Sequence, residues 1–382
     1  MAEPISWEWA ERIAVLVAGK EPLAASYHAD GMASEFAAAT AEAEQLVSAE
    51  TGLVPLEGPA RATVTDREGW IRANISSFRR LLAPLGEKLA PKLSVPGMGG
   101  AARAVTGMEL GTLLGWMSTR VLGQYDLLIT EEVQPEQQDM VYFVGPNILS
   151  LERRYGFPPA EFRLWIALHE VTHRAQFTGI PWMRQHFVSL VGSAVASLDP
   201  SPKVLLERLG HAANEVRQGR NPLQDGGLAG AMASPAQRDV LERIQGLMSL
   251  LEGHGDVTMD RAGADRVPSA ARFSQVLRDR RKSAGAAARL FQQLIGLEAK
   301  LRQYQQGEEF IAAVEEHGGP DLLAVAWRGP QWLPSVAEIR DPARWIGRVE
   351  HDPPADENWP VAEVAPPSDS SGTSGGSASA AG

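Results

Sequence analysis

The chain has 382 residues, enough for one large unit or two closely packed ones, and an apolar fraction of 44% that can fill a sizeable core. Its formal charge is −11, of which five acidic residues after His351 account for almost half, leaving about −6 elsewhere with no basic stripe; nucleic acid is a poor candidate partner. The absence of cysteine excludes disulfides, thiolate nucleophiles and Cys-based zinc sites, and with an N-terminus unlike a secretory signal it points to the cytoplasm.

Residues 7–53 read as helical, with Ala-rich periodic segments ending at Gly52. A second helical stretch, GWIRANISSFRRLLAPLGEKL, follows Asp66 and is predicted to break at Pro84. The Gly-rich SVPGMGGAAR reads as a loop and helix start rather than a phosphate cradle, because no Gly-Lys-Ser/Thr follows. Another amphipathic helix is predicted over 108–122. Two strands follow at 125–130 and 140–144, separated by EEVQPEQQD and closed by the turn residues Gly145, Pro146 and Asn147. From 158 to 310 helix signals dominate, and the apolar stretch at 186–198 is too short and broken to span a bilayer. Trp327, Trp332 and Trp345, set among prolines, suggest an irregular strap packed on the body. After His351 the composition collapses to Pro, Ser, Gly, Ala and Asp, so a disordered tail is expected.

The segment His169-Glu170-Val171-Thr172-His173 carries the first chemistry. Positions i and i+4 of a helix share a face, so two imidazoles can aim at one ion, and the glutamate after the first histidine falls beside the metal-bound water, where a general base belongs. Pro158 and Pro159 mark a helix start, and Gly179 with Pro181 a stop. Phe162, Trp165, Ile166, His169, His173 and Gln176 lie on one stripe between them. Two satisfied core histidines are the bland alternative, but packing does not explain ligand spacing with Glu170 beside it.

A zinc hydrolase needs a third protein ligand and keeps a fourth position for water. The extended HExxHxxGxxH form is excluded, since Gln176 and Gly179 stand at its glycine and third histidine. The best donor segment is GLMSLLEGHGDVTMD, on a helix opened by Ser234, Pro235 and Gln237 as a capping box with Pro in the first helical position. Val240, Leu241, Ile244, Leu247, Met248 and Leu251 form its apolar stripe. Glu252 and Asp256 stand four apart on one flank: either a ligand and a carboxylate steadying an imidazole, or a solvated face, and spacing alone leaves both open. His254 is the rival donor, about 200° round the helix from Glu252, so only one of the two can face an ion. Gly246, Gly253 and Gly255, each weakening a helix interior by about 1 kcal/mol relative to Ala, suggest close approach by another backbone or by the metal site. Farther on, Leu290, Leu294, Leu297, Leu301 and Tyr304 make a core stripe with a Glu298–Arg302 pair. A sharper reading of that helix has Tyr304 or Arg302 reaching the site to stabilise an oxyanion.

LWIALHEVTHRAQFTGIPW, LMSLLEGHGDVTMD and GLEAKLRQYQQGEEF, with LGQYDLLI and VGPNI upstream, resemble an actinobacterial family of zinc-dependent hydrolases, over roughly residues 7–345. Some of its members are labelled as associated with biosynthesis of the deazaflavin coenzyme. The family is similar to the zincins, and the Glu252–Asp256 pair looks like their gluzincin pattern. The resemblance implies a mainly α, zincin-like fold with at most a small β element. Together with the composition, the expected organisation is one catalytic body over 1–350 (an N-terminal helical part to about 145, metal-site helices from about 146) and a disordered tail over 351–382. The resemblance also implies Zn²⁺ on His169, His173 and Glu252, with Glu170 as general base. About 80 residues separate His173 from Glu252, more than in compact gluzincins, so an inserted set of helices is expected between them. The expected function is zinc-dependent hydrolysis of an amide or peptide bond in an unidentified substrate. The rival is a zincin-like metal-binding scaffold without chemistry, which would have no need of Glu170.

Overall fold

The computed structural model describes residues 5–21, 23, 30–56, 58–93, 98–127, 139–196, 235–282 and 297–354. Among them stand twelve α-helices and one three-stranded sheet, so the fold is mainly α with a small β element, as expected.

The N-terminal helices α1 (Trp7–Ala18), α3 (Arg67–Leu93) and α4 (Met98–Ser118) enclose a small core of their own. Ala10, Ala14 and Ala18 line the buried face of α1 at four-residue spacing. Opposite them, a Cβ added to Gly107, Gly111 or Gly115 of α4 would lie 2.3, 2.3 or 2.4 Å from the carbonyl oxygens of Ser6, Ala10 and Ala14. Only glycine lets the two backbones approach this closely. Trp70, Ile71 and Ile75 of α3 complete the cluster. Two boundaries differ from expectation. α3 runs through Pro84 as one element, the proline forfeiting one backbone donor without ending the helix. α4 begins ten residues before the predicted start at 108, so its Gly-rich opening is already helical.

The sheet has the order β1-β3-β2. β1 (Arg61–Thr65) runs parallel to β3 (Met140–Val144), Arg61 opposite Met140 and Thr65 opposite Val144; β2 (Gly123–Tyr125) runs antiparallel to β3 on its other side. β1 is not among the elements expected from the sequence: its Arg-Ala-Thr-Val-Thr alternates polar and apolar residues over five positions only, and in the fold all five are half-buried. The strand expected at 125–130 instead occupies 123–125, and residues 128–130 lie outside the described residues. Gly145 and Pro146 open a helix, α5 (Gly145–Tyr155), rather than close a turn; proline suits this position because its missing N–H would have no helical partner there.

The larger core lies between α2 (Met32–Thr51), α6 (Pro159–Gly179), α8 (Pro235–Ala262) and α10 (Leu297–Ala324). In chain order α7 (Met183–Ala196) follows α6, and α9 (Ala270–Lys282) follows α8. α6 is buried along nearly its whole length, with Phe162 in an aromatic group with Phe157, Trp165 and Phe273. α8 and α10 cross where Gly253 meets Gly307: a Cβ on Gly253 would stand 2.4 Å from the Gly307 carbonyl carbon. α10 is broken at Gly319, in the left-handed region at φ 72, just before Pro320.

The closing segment is more regular than a strap. Two 3₁₀ turns (Val325–Trp327 and Pro330–Trp332) lead into α11 (Val336–Arg340) and α12 (Pro342–His351). Ser335 and Glu338 form a capping box at the start of α11. Trp345 is fully buried and its indole N–H donates to the Trp332 carbonyl at 2.8 Å. The expected insertion between the two metal-site helices falls largely on 197–234, and Ser234, Leu290, Leu294 and the tail from 355 likewise lie outside the described residues. Among the described residues no helix is long and apolar enough to cross a membrane.

Candidate metal centre

Helix α6 begins at Pro159 and ends at Gly179, the start and stop read from its prolines and glycine. His169 and His173 are one turn apart on it, their rings edge to face at 4.6 Å between centroids and their Nε2 atoms 3.2 Å apart. Glu252 comes to them from α8, with Oε2 3.4 Å from His173 Nε2 and 3.9 Å from His169 Nε2. The three residues form a group that could hold a metal ion, one donor from each lying within 4.8 Å of the others.

The donor set can be tested against zinc. Zn–N and Zn–O bonds of about 2.0–2.2 Å in a tetrahedron place neighbouring donors about 3.3–3.5 Å apart. Two of the three separations, 3.2 and 3.4 Å, are close to that edge and the third is longer. Two imidazoles and a carboxylate are a ligand set of a catalytic zinc, with a fourth position left over. The residues fit the ion.

Around this group the side chains are ordered by both helices. Asp256, one turn beyond Glu252, sets Oδ1 3.7 Å from His169 Nδ1. Burial and the neighbouring carboxylates Glu308 and Glu252 hold its own pKa well above the usual range. A Cβ on Gly255 would rest on the His173 ring, 3.4 Å from Cε1, so the glycines of α8 meet both a backbone and the site histidines. His254 points elsewhere: its ring packs edge-on to Trp327 and its Nδ1 lies 2.9 Å from Gln176 Nε2. Burial lowers its pKa to about 4, and it is not among the converging donors. His173 behaves oppositely. Burial works against its protonation, yet Glu252, Glu170 and Gln176 carry its pKa up to about 9.

Glu170 is buried at the edge of the sheet. The Tyr125 backbone N–H donates to its Oε2 at 3.1 Å, and a Cβ on Gly123 would stand 2.6–2.8 Å from its Cγ, Cδ and Oε1. Gly123 therefore makes room for this carboxylate. Burial pushes Glu170 up to about 7, with His173 and the Tyr125 N–H opposing and Glu252 assisting.

Behind His173, the fully buried Arg174 guanidinium is enclosed by acids. It donates to Asp139 through Nε at 2.8 Å and again through Nη2, to Glu44 at 2.6 Å and to the Gly58 carbonyl at 2.5 Å. Glu44 in turn accepts from the Ala60 N–H at 3.1 Å, just ahead of β1. One arginine thus ties α2, α6 and the starts of β1 and β3 together.

The structure brings together His169, Glu170, His173, Glu252 and Asp256. Arg302 and Tyr304 fall within α10, and their side chains lie outside the described residues. Sequence reasoning missed Arg174, the Gly123–Tyr125 contact with Glu170, and the polar role of Gln176. Only Gln176 had a local signal, its i+3 spacing from His173.

A helix presenting two histidines and a glutamate to a carboxylate from a second helix belongs to the zincin class of metal centres. The model of the zincin-like metallopeptidases matches residues 5–346, and the chain belongs to that family. The family implies a zinc ion. A crystal structure from Chloroflexus aurantiacus, described as "a putative hydrolase with a novel fold", is similar at 31% identity and a TM-score of 0.66, over 91% of this chain and 99% of that one. No curated protein matches. These likenesses carry neither the actinobacterial origin nor the deazaflavin label of the sequence resemblance.

Proposed function

We propose that the protein is a zinc-dependent hydrolase of amide bonds, with peptides as its substrate class. The observation that carries this reading is the convergence of His169, His173 and Glu252 within 4.8 Å, with the Glu170 carboxylate alongside on the same helix. Zn²⁺ held by those three side chains would supply a Lewis acid and bring the pKa of a water towards 7.

The chain's own residues do the rest. His169 and His173 offer Nε2, and Glu252 supplies the negative charge that offsets part of the cation's. Asp256, beside His169 Nδ1, orients that ring. Glu170 is the proton carrier. One carboxylate oxygen is fixed by the Tyr125 N–H, and burial brings its pKa to about 7, where it can both take a proton and give it up. It accepts a proton from the attacking water and returns it to the leaving nitrogen. The family's name supports a peptide rather than a small amide as the target.

The test compares wild type with Glu170→Gln, both purified without chelator and offered a peptide library and simple amides. Both should carry about one zinc per chain, because Glu170 touches the water and not the ion. Turnover should fall by about 100- to 10,000-fold in the variant, the usual contribution of a general base. Absence of zinc from the wild type after reconstitution would overturn the proposal. Zinc-loaded proteins equally inert towards every substrate would point instead to a metal-binding scaffold.

A further inference from the structure

Gln176, one turn after His173 on α6, is fully buried, and its amide reaches three groups. Oε1 lies 3.0 Å from His173 Nδ1, while Nε2 lies 2.9 Å from the Leu251 carbonyl oxygen and 2.9 Å from His254 Nδ1. The Leu251 oxygen decides which way the amide faces. It can only accept, so the NH₂ must point to it, and the reversed amide would set two carbonyl oxygens against each other. The second amide hydrogen then goes to His254 Nδ1, which accepts. The amide oxygen, an acceptor only, requires a hydrogen on His173 Nδ1. In that tautomer the Nε2 lone pair of His173 faces His169 and Glu252.

The same amide bridges the two helices of the site. Leu251 immediately precedes Glu252 on α8, so one hydrogen bond from Gln176 ties the backbone that carries Glu252 to the helix that carries both histidines. His254, wedged between Gln176 and Trp327, extends the contact to the C-terminal 3₁₀ turn. This gives the buried polar residue and the inward-facing third histidine a use that the hydrolytic chemistry itself leaves unexplained.

We infer that Gln176 is a positioning residue of the metal centre: it holds His173 in the Nδ1–H tautomer that presents Nε2 to the ion, and it sets α8, with Glu252, against α6. The inference rests on His169, His173 and Glu252 being the metal ligands. Gln176→Met keeps the volume and the apolar contacts but cannot accept from His173. Met also cannot donate to Leu251 or His254, so a purely structural Gln176 would lose stability on this change while the His173 Nδ1–H kept its slow exchange.

The experiment measures zinc affinity by chelator competition and, in the cobalt(II)-substituted protein, solvent exchange of the shifted imidazole N–H signals. In wild type, His173 should ligate through Nε2 and show a slowly exchanging Nδ1–H. Gln176→Met should bind zinc about 10- to 100-fold more weakly, the usual effect of losing a partner of a metal-ligating histidine, and that signal should exchange rapidly. His254→Phe, which leaves the Gln176–His173 bond in place, should show a smaller loss and keep the slow signal. Wild-type affinity and slow exchange in Gln176→Met would overturn the inference while leaving the metal reading intact. Ligation of wild-type His173 through Nδ1 would overturn it as well, and needs no variant to fold. A wild type that holds no zinc overturns the metal reading and this inference with it.

Discussion

Two helix pairs are drawn together by glycine in this protein, α1 with α4 and α8 with α10, and the surroundings of the two contacts differ. Gly107, Gly111 and Gly115 lay α4 on the carbonyls of α1 inside a cluster of Ile5, Trp70, Ile71 and Leu114. Gly253 lays α8 on Gly307 with Glu252 and His254 on either side of it and Asp256 one turn on. In the first pair close approach packs apolar surface. In the second it also fixes where carboxylates stand relative to two imidazoles. A close contact that only stabilises should be separable by mutation from one that also positions donors.

The largest effect belongs on the polar side. His169→Ala and His173→Ala should each lose the metal, and Glu252→Ala should lower zinc affinity at least as much as either, read as metal content after chelator-free purification. Zinc retained by Glu252→Ala and lost from His254→Ala would mean that the other side of α8 supplies the donor.

Arg174→Met comes next. It leaves Asp139 and Glu44 without the cation between them, and losing one member of a buried ion cluster costs about 3–5 kcal/mol. Denaturant midpoints would report it; a change below 1 kcal/mol would mean that water replaces the guanidinium.

The two glycine contacts then give a matched pair. Gly111→Ala puts a methyl 2.3 Å from the Ala10 oxygen, and overpacking of that kind costs about 1–3 kcal/mol. Its zinc affinity should match that of wild type. Gly253→Ala should cost a similar amount and also weaken zinc binding, because the clash with Gly307 falls next to Glu252 on α8 and any shift of α8 to relieve it carries that carboxylate along. Equal zinc affinities in the two variants would erase the distinction drawn between the two helix pairs.

The smallest effect is expected from ending the chain after Pro354. The residues removed are rich in Pro, Ser and Gly, and Trp359 is their one aromatic anchor. One aromatic contributes a few kcal/mol against ordering entropy of roughly 1–2 kcal/mol per residue. Melting temperature and zinc content should stay nearly unchanged, and a large drop in either would place the tail in the fold.

The metal helix was legible because everything that defines it is local. Proline before it, glycine after it, and two histidines and a glutamate at fixed spacing describe one face of one helix without reference to the rest of the chain. The pairing of Glu252 with Asp256 and the glycines of α8 were legible for the same reason, since helical periodicity says which residues share a flank. What faces that flank is not periodic. The Tyr125 N–H on Glu170, the Asp139 and Glu44 carboxylates on Arg174, and the Leu251 carbonyl on Gln176 come from 45, 35, 130 and 75 residues away. β1 was not legible because the polar–apolar alternation of Arg-Ala-Thr-Val-Thr covers only five residues, and the parallel partner β3 that makes it a strand lies some 80 residues on. By itself the sequence determined a mainly helical chain and the face of α6 that offers its histidines. Only tertiary packing decided which backbone amide holds the base, which cation neutralises the acids behind the site, and which amide orients His173, because those choices depend on which distant elements are pressed together.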